Sequence, residues 1–347
     1  MDRVVIGSTS RGAGKTSLVI GLGKALRGRL AYRKPFGDRL VYRRKVARDS
    51  DSVLLTGVFG LAGPPEETTI GFEHSKLRYM YDEDGRKKRL REMVPPDEAD
   101  VGPLVVEAGY DLTCGASVHL DAVSLARYLN ARLVLVVAGA ESAALDEIAF
   151  VKKYVATREA TLAGVVVNKV RDPDAFRETW VPEIGKWGVT VLGVVPYREE
   201  LTHPSVGYVA DRLFAKVLTG EANIDRPVKN VFIGAMSADS ALRSGLFKHP
   251  GKMIITGGDR TDMVLAALEG DTACVVLTNN VVPPANIVAR AAEHGVPLLL
   301  VSQDTYQVAA QVDNLEPLLV ANETAKIELL GKIVGESVKV GELVSGT

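Results

Sequence analysis

The chain has 347 residues, 46% of them hydrophobic and 24% charged, with a formal net charge of −1. That length allows two ordinary domains with a sizeable core. The near-neutral balance excludes a nucleic-acid partner held by a strong basic excess, and no apolar run approaches the ~18 residues of a membrane span.

The chain opens directly on the strand-like run "RVVIGS", without a basic segment followed by a long apolar one, so no secretory leader is expected. "GSTSRGAGKTS" follows, and then "LVIGLGKALRG", which has helical spacing. Strand, small-residue loop and helix are the context of a phosphate-binding loop, G-x-x-x-x-G-K-[ST]. Here Thr9 stands where the first glycine is usual. Backbone N–H groups of Gly12, Ala13, Gly14, Lys15, Thr16 and Ser17 can curl around a phosphate at the positive end of the helix. Lys15 would reach the β- and γ-phosphates, and Thr16 would offer a hydroxyl to Mg²⁺. The plainer alternative is a capped helix with an exposed lysine.

Next, "YRKPFGD" places Lys34 at the expected end of a second strand. "ARDSDSVLL" sets Asp49 and Asp51 before an apolar helix, where they serve either as Mg²⁺ ligands or as helix caps. Residues 66–100 are dense in charge and aromatics, and read as a partly helical insertion, either a solvated excursion or a substrate-facing lid. "GPLVVEAG" puts Glu107 at a strand end, as a metal-binding carboxylate or a plain surface one. "ARLVLVVAG", the helical "ALDEIAFVKKYVATRE", "LAGVVVNKV" and "GVTVLGVVP" continue the alternation. Near-continuous Val/Leu runs between amphipathic stretches predict an α/β fold with a parallel sheet covered on both faces.

Polar "TGEANIDRPVK" marks an expected boundary, dividing residues 1–220 from a smaller α/β domain over 228–347. Residues 1–220 carry 32 basic and 28 acidic side chains, against 10 and 15 in the remainder, so the front part suits an anionic small ligand. In the second part, "MIITGGDRTDMVLAALEG" runs a strand into Gly257 and Gly258, then Asp259, Arg260 and Thr261 at a helix start. This reads either as an anion site or as a turn capped by Asp259 with an aspartate–arginine pair. "DTYQVA" sets Asp304, Thr305 and Tyr306 at a comparable strand end. Cys114 and Cys274 form neither a disulfide framework nor a metal pattern, which suits a cytoplasmic protein, and the five histidines are scattered.

The motifs of the first 210 residues together resemble the dethiobiotin synthetase family and its relatives, the cobyrinic and cobyric acid synthetases. They also resemble the N-terminal domain of long bacterial phosphotransacetylases. Those families share loops of forms such as G-T-x-S-x-x-G-K-T, which "STSRGAGKT" resembles, with Ser8 where a glycine is common and Arg11 in the middle of the loop. The resemblance implies an ATP- and Mg²⁺-using P-loop domain. In it Lys15 and Lys34 act on the transferred phosphoryl group, Thr16, Asp51 and Glu107 bind Mg²⁺, Asn168 reads the adenine edge, and Pro196 lines the base pocket. "EAGYDLTCG" departs from the family's glycine pair, which speaks against biotin synthesis. The second part resembles the DRTGG domain, which implies regulation or association. An ATP-dependent kinase or ligase acting on a small acidic substrate is one expectation, and a regulatory ATPase sensing a small anion or partner is the other. A homodimer is the expected assembly for relatives of both domains.

Overall fold

The computed structural model describes residues 1–43, 45–94, 102–139, 141–156 and 160–345. In chain order the strands are β1 (Arg3–Ser8), β2 (Ala31–Arg33), β3 (Leu40–Arg43), β4 (Val46–Asp49), β5 (Leu104–Glu107), β6 (Arg132–Ala138) and β7 (Leu162–Val170). They continue with β8 (Val191–Pro196), β9 (Lys216–Thr219), β10 (Asn230–Ile233), β11 (Lys252–Gly257), β12 (Thr272–Thr278) and β13 (Leu298–Leu300). Two helices carry most of the site: α1 (Lys15–Ala25) and α2 (Ser50–Phe59).

The first sheet is parallel throughout, in the order β2-β5-β1-β6-β7-β8. Val4, Val5 and Ile6 of β1 and Leu133 to Val137 of β6 are wholly buried, as strands covered by helices on both faces must be. β1 is flanked by β5 and β6, and its C-terminal end therefore opens between neighbours that also end there. That is the edge where ligands bind in open α/β sheets. β3 and β4 form a small antiparallel hairpin that the apolar patterning did not reveal.

The second sheet has the order β10-β11-β12-β13-β9, with β9 antiparallel to β13. The chain divides into two compact units, residues 1–198 with 324–347, and residues 199–323. Both expected domain limits change accordingly. Residues 199–220 belong with the second unit, because β9 forms an edge of its sheet. Residues 324–347 return to the first unit. The Thr324–Ser337 helix lies on α1 with Gly21 against Val334, and Lys339 N–H donates to the Leu192 carbonyl on β8 at 2.8 Å.

The charged insertion is more deeply anchored than a solvated excursion. Its helices His74–Met80 and Glu83–Glu92 bury Leu77 and Leu90, each 1% exposed, in the core of the first unit. Residues 95–100 of that stretch lie outside the described residues. Among the described residues no helix is long and apolar enough to cross a membrane.

Candidate nucleotide site

The loop after β1 reaches α1 through two left-handed glycines, Gly12 (φ 71°) and Gly14 (φ 99°). A side chain at Gly14 would be strained by φ and blocked by space, because its Cβ would lie 2.2 Å from Asn168 Nδ2. Gly14 is also the N-cap of α1 and supplies no side-chain acceptor, so the first-turn N–H groups of Lys15, Thr16 and Ser17 lack a capping side chain. The Thr9 hydroxyl is buried in the loop without a hydrogen-bond partner among the described residues. Uncapped donors at a helix N-terminus suit an anionic ligand.

Lys15 is 7% exposed, and its Nζ donates to Ser8 Oγ at 2.8 Å and to the Tyr110 carbonyl at 3.2 Å. Ser8, unusual for the resembled loops, is therefore a seat for the ammonium group. Burial lowers the Lys15 pKa, against the pull of Glu107. Thr16 Oγ1 donates to Glu107 Oε1 at 2.7 Å, and the buried Tyr32 hydroxyl donates to Glu107 Oε2 at 2.9 Å. Burial pushes the Glu107 carboxyl up to about 7, with Lys34 and Lys15 opposing and Asp51 assisting. Tyr32 was missed in the sequence, where nothing local marks a tyrosine inside a strand as a carboxylate partner.

Lys34 is 1% exposed and sits among aspartates. Its Nζ donates to Asp38 at 2.7 Å and to Asp51, and lies 3.5 Å from Asp49. Burial acts to lower its pKa, but the fields of Asp51, Glu107, Asp49 and Asp38 outweigh that and raise it well above the ordinary value. Burial acts to raise Asp51, and Lys34 and Arg39 overcome it, so Asp51 stays below the usual carboxylate range. Burial raises Asp49 despite Lys34. Asp49 is the cap of α2, accepting from the N–H groups of Asp51 and Ser52. The cap reading of "DSD" therefore applies to Asp49, while Asp51 is free for the ion pair.

Thr16 and Glu107 offer two hard oxygen donors beside the loop, which suits Mg²⁺. Asp51, the third expected ligand, is engaged by Lys34 and by Arg39 Nη1 at 3.6 Å. Asn168 stands beside the loop. Its Nδ2 donates to the Ala13 carbonyl at 2.8 Å, and its Oδ1 accepts from Lys169 N–H at 2.9 Å. Lys169 Nζ donates to the Gly12 carbonyl at 2.8 Å, a second residue that sequence reasoning overlooked. Pro196 ends β8 opposite Val170.

In the second unit, Asp259 is not the helix cap. Arg260 occupies the N-cap of the Thr261–Ala267 helix without a capping hydrogen bond. Its guanidinium pairs with Asp262 at 3.2 Å and donates to the Met236 carbonyl at 2.9 Å, so the aspartate–arginine pair involves Asp262. Gly257 and Gly258 serve close packing. Asp259 Oδ1 covers Gly257, and the Val281 carbonyl lies 1.7 Å from where a Cβ of Gly258 would stand.

Residues 2–205 match the family model described as an AAA domain, and residues 208–315 match that of the DRTGG domain. A phosphate acetyltransferase of Pseudomonas putida is 25% identical over 360 residues, covering 96% of this chain and 50% of the relative. One of Nitrosomonas europaea is 24% identical over 373 residues, covering 99% and 51%. The chain thus spans about half the length of these curated relatives. Among solved structures, the CBS and DRTGG regulatory region of a Clostridium perfringens pyrophosphatase covers 45% of this chain and 76% of its own, at 15% identity and a TM-score of 0.30.

Proposed function

The chain belongs to the AAA domain family and carries a DRTGG domain, and from that membership we propose that it binds Mg-ATP and transfers the γ-phosphoryl group to a small carboxylate-type substrate. The observation that carries this reading is the convergence of Lys15, Thr16, Glu107 and Lys34 in one buried polar cluster at the end of β1 and β5. The N–H groups of residues 12–17 would bind the phosphates. Lys15 would exchange Ser8 and the Tyr110 carbonyl for phosphate oxygens, and Lys34 would face the charge developing on the γ-phosphoryl. Bound Mg²⁺, held by Thr16 and Glu107 with Asp51, would supply neutralisation of the β- and γ-oxygens. Burial makes these contacts stronger than they would be in water.

A second reading, regulation, is favoured by two observations. The relatives that align over nearly the whole chain are phosphate acetyltransferases twice its length. Lys34 is also held by aspartates rather than free for a substrate. In that reading the first unit binds or slowly hydrolyses ATP, and the DRTGG unit senses a small anionic ligand or a partner. Both readings require Mg-ATP binding that Lys15→Ala weakens, measured by calorimetry. Absence of binding at millimolar ATP refutes both. ADP release across a panel of carboxylic acids separates them. Transfer requires one acid to raise turnover strongly, whereas regulation requires none to do so while ATP shifts stability or oligomeric state.

A further inference from the structure

The end of β7 grips the phosphate loop from outside. Asn168 Nδ2 reaches the Ala13 carbonyl and Lys169 Nζ the Gly12 carbonyl, each at 2.8 Å. In a trans peptide the C=O and the following N–H point in opposite directions. A carbonyl drawn toward β7 therefore turns the next N–H, of Ala13 or Gly14, away from β7. Left ungripped, either carbonyl is free to rotate inward, where its oxygen would repel a phosphate.

Three further features make the grip a built one. Lys169 N–H donates to Asn168 Oδ1 at 2.9 Å, which fixes the amide so that its NH₂ faces the loop. Lys169 itself adopts φ 61°, a left-handed conformation uncommon for a long side chain, at the irregularity between Val167 and Val170 in the pairing of β7 with β8. Gly14 leaves the room that the Asn168 amide occupies. The grip is carried by β7, a nine-residue strand paired with β6 as far as Asn168 and with β8 at Val165–Val167 and again at Val170.

We propose that Asn168 and Lys169 are positioning residues that hold the carbonyls of Ala13 and Gly12 outward and so preset the loop N–H groups for phosphate, independently of the base. This rests on the nucleotide-binding reading above. It differs from a base-reading role in which part of the ligand it senses.

The test compares Mg-ATP with inorganic tripolyphosphate, which has no base, by calorimetry on the full chain. Asn168→Ala weakens both ligands alike, by about tenfold, as expected for loss of a partly buried hydrogen bond and the loop order it supports. Lys169→Met weakens both by about threefold, less because the ammonium is exposed, and Lys169→Arg recovers most of that loss. Since Lys169 is exposed, these two variants keep the fold, checked by an unchanged melting temperature without ligand. Weakened ATP with unchanged tripolyphosphate assigns Asn168 to the base and overturns the proposal. Unchanged affinity for both ligands in all variants overturns it as well. If the parent binds neither ligand, the nucleotide reading fails and the proposal with it.

Discussion

Gly21→Ala sets two known effects against each other, and the structure decides the sign. In a helix interior alanine is favoured over glycine by about 1 kcal/mol. The added Cβ on α1 would stand 2.2 Å from Val334 Cγ2 and 2.9 Å from the Leu330 carbonyl oxygen. A rotamer change moves Val334 Cγ2 but not its Cβ, which would stand 2.5 Å away, and the carbonyl belongs to a helix backbone, so the whole Thr324–Ser337 helix must move. Overpacking of this kind costs roughly 1–3 kcal/mol, and the backbone obstacle puts this case near the upper end. The net expectation is a destabilisation of about 1–2 kcal/mol, the overpacking cost less the propensity gain. Urea unfolding of parent and variant measures it as a lower midpoint at constant slope. Val334→Ala in the same chain removes the Cγ2 contact but leaves the Cβ at position 334 and the Leu330 carbonyl in place, so it should recover only part of the loss, giving a measurable coupling in a double-mutant cycle. A Gly21→Ala protein more stable than the parent by the helix-propensity increment would show that the C-terminal helix does not rest on α1. Because Lys15 and Thr16 begin the same helix, the displaced packing should also weaken Mg-ATP binding.

Glu107 should make the ligand-free protein less stable as pH rises. Between its ordinary 4.5 and the folded value of about 7, the folded chain holds this proton more tightly than the unfolded chain. Over that window the group removes about 3 kcal/mol, and Glu107→Gln should flatten the urea midpoint across it; an unchanged slope refutes the assignment. Burial pushes Cys114 up to about 11 and Cys274 up to about 12. Alkylation at pH 8 should therefore be far slower than for an exposed thiol until denaturant is added, and rapid labelling of either by mass spectrometry would contradict the burial. Gly258→Ala forces a Cβ onto the Val281 carbonyl and should cost the second unit roughly 3 kcal/mol or more, read as a lowered melting transition.

Local sequence determined what depends on neighbours in the chain. Runs such as "RVVIGS", "ARLVLVVAG" and "TACVVLTN" became β1, β6 and β12 because doubly covered parallel strands need continuous apolar stretches. The strand–loop–helix spacing placed Gly12, Gly14 and Lys15, because left-handed turns and helix starts are set within a few residues. Short, polar or half-exposed elements such as the β3–β4 hairpin and β9 carried no such pattern.

Only the tertiary structure decided which distant groups meet. Ser8 seats Lys15, Tyr32 joins Thr16 on Glu107, and Lys34 lies among Asp38, Asp49 and Asp51, because the order β2-β5-β1 brings those strand ends together. Asn168 and Lys169 reach the loop across 155 and 157 residues of sequence. The return of residues 324–347 to α1 turns on Gly21 and Val334 fitting one another. Each of these is a contact between surfaces, and a residue's own spacing along the chain carries no record of the surface it will face.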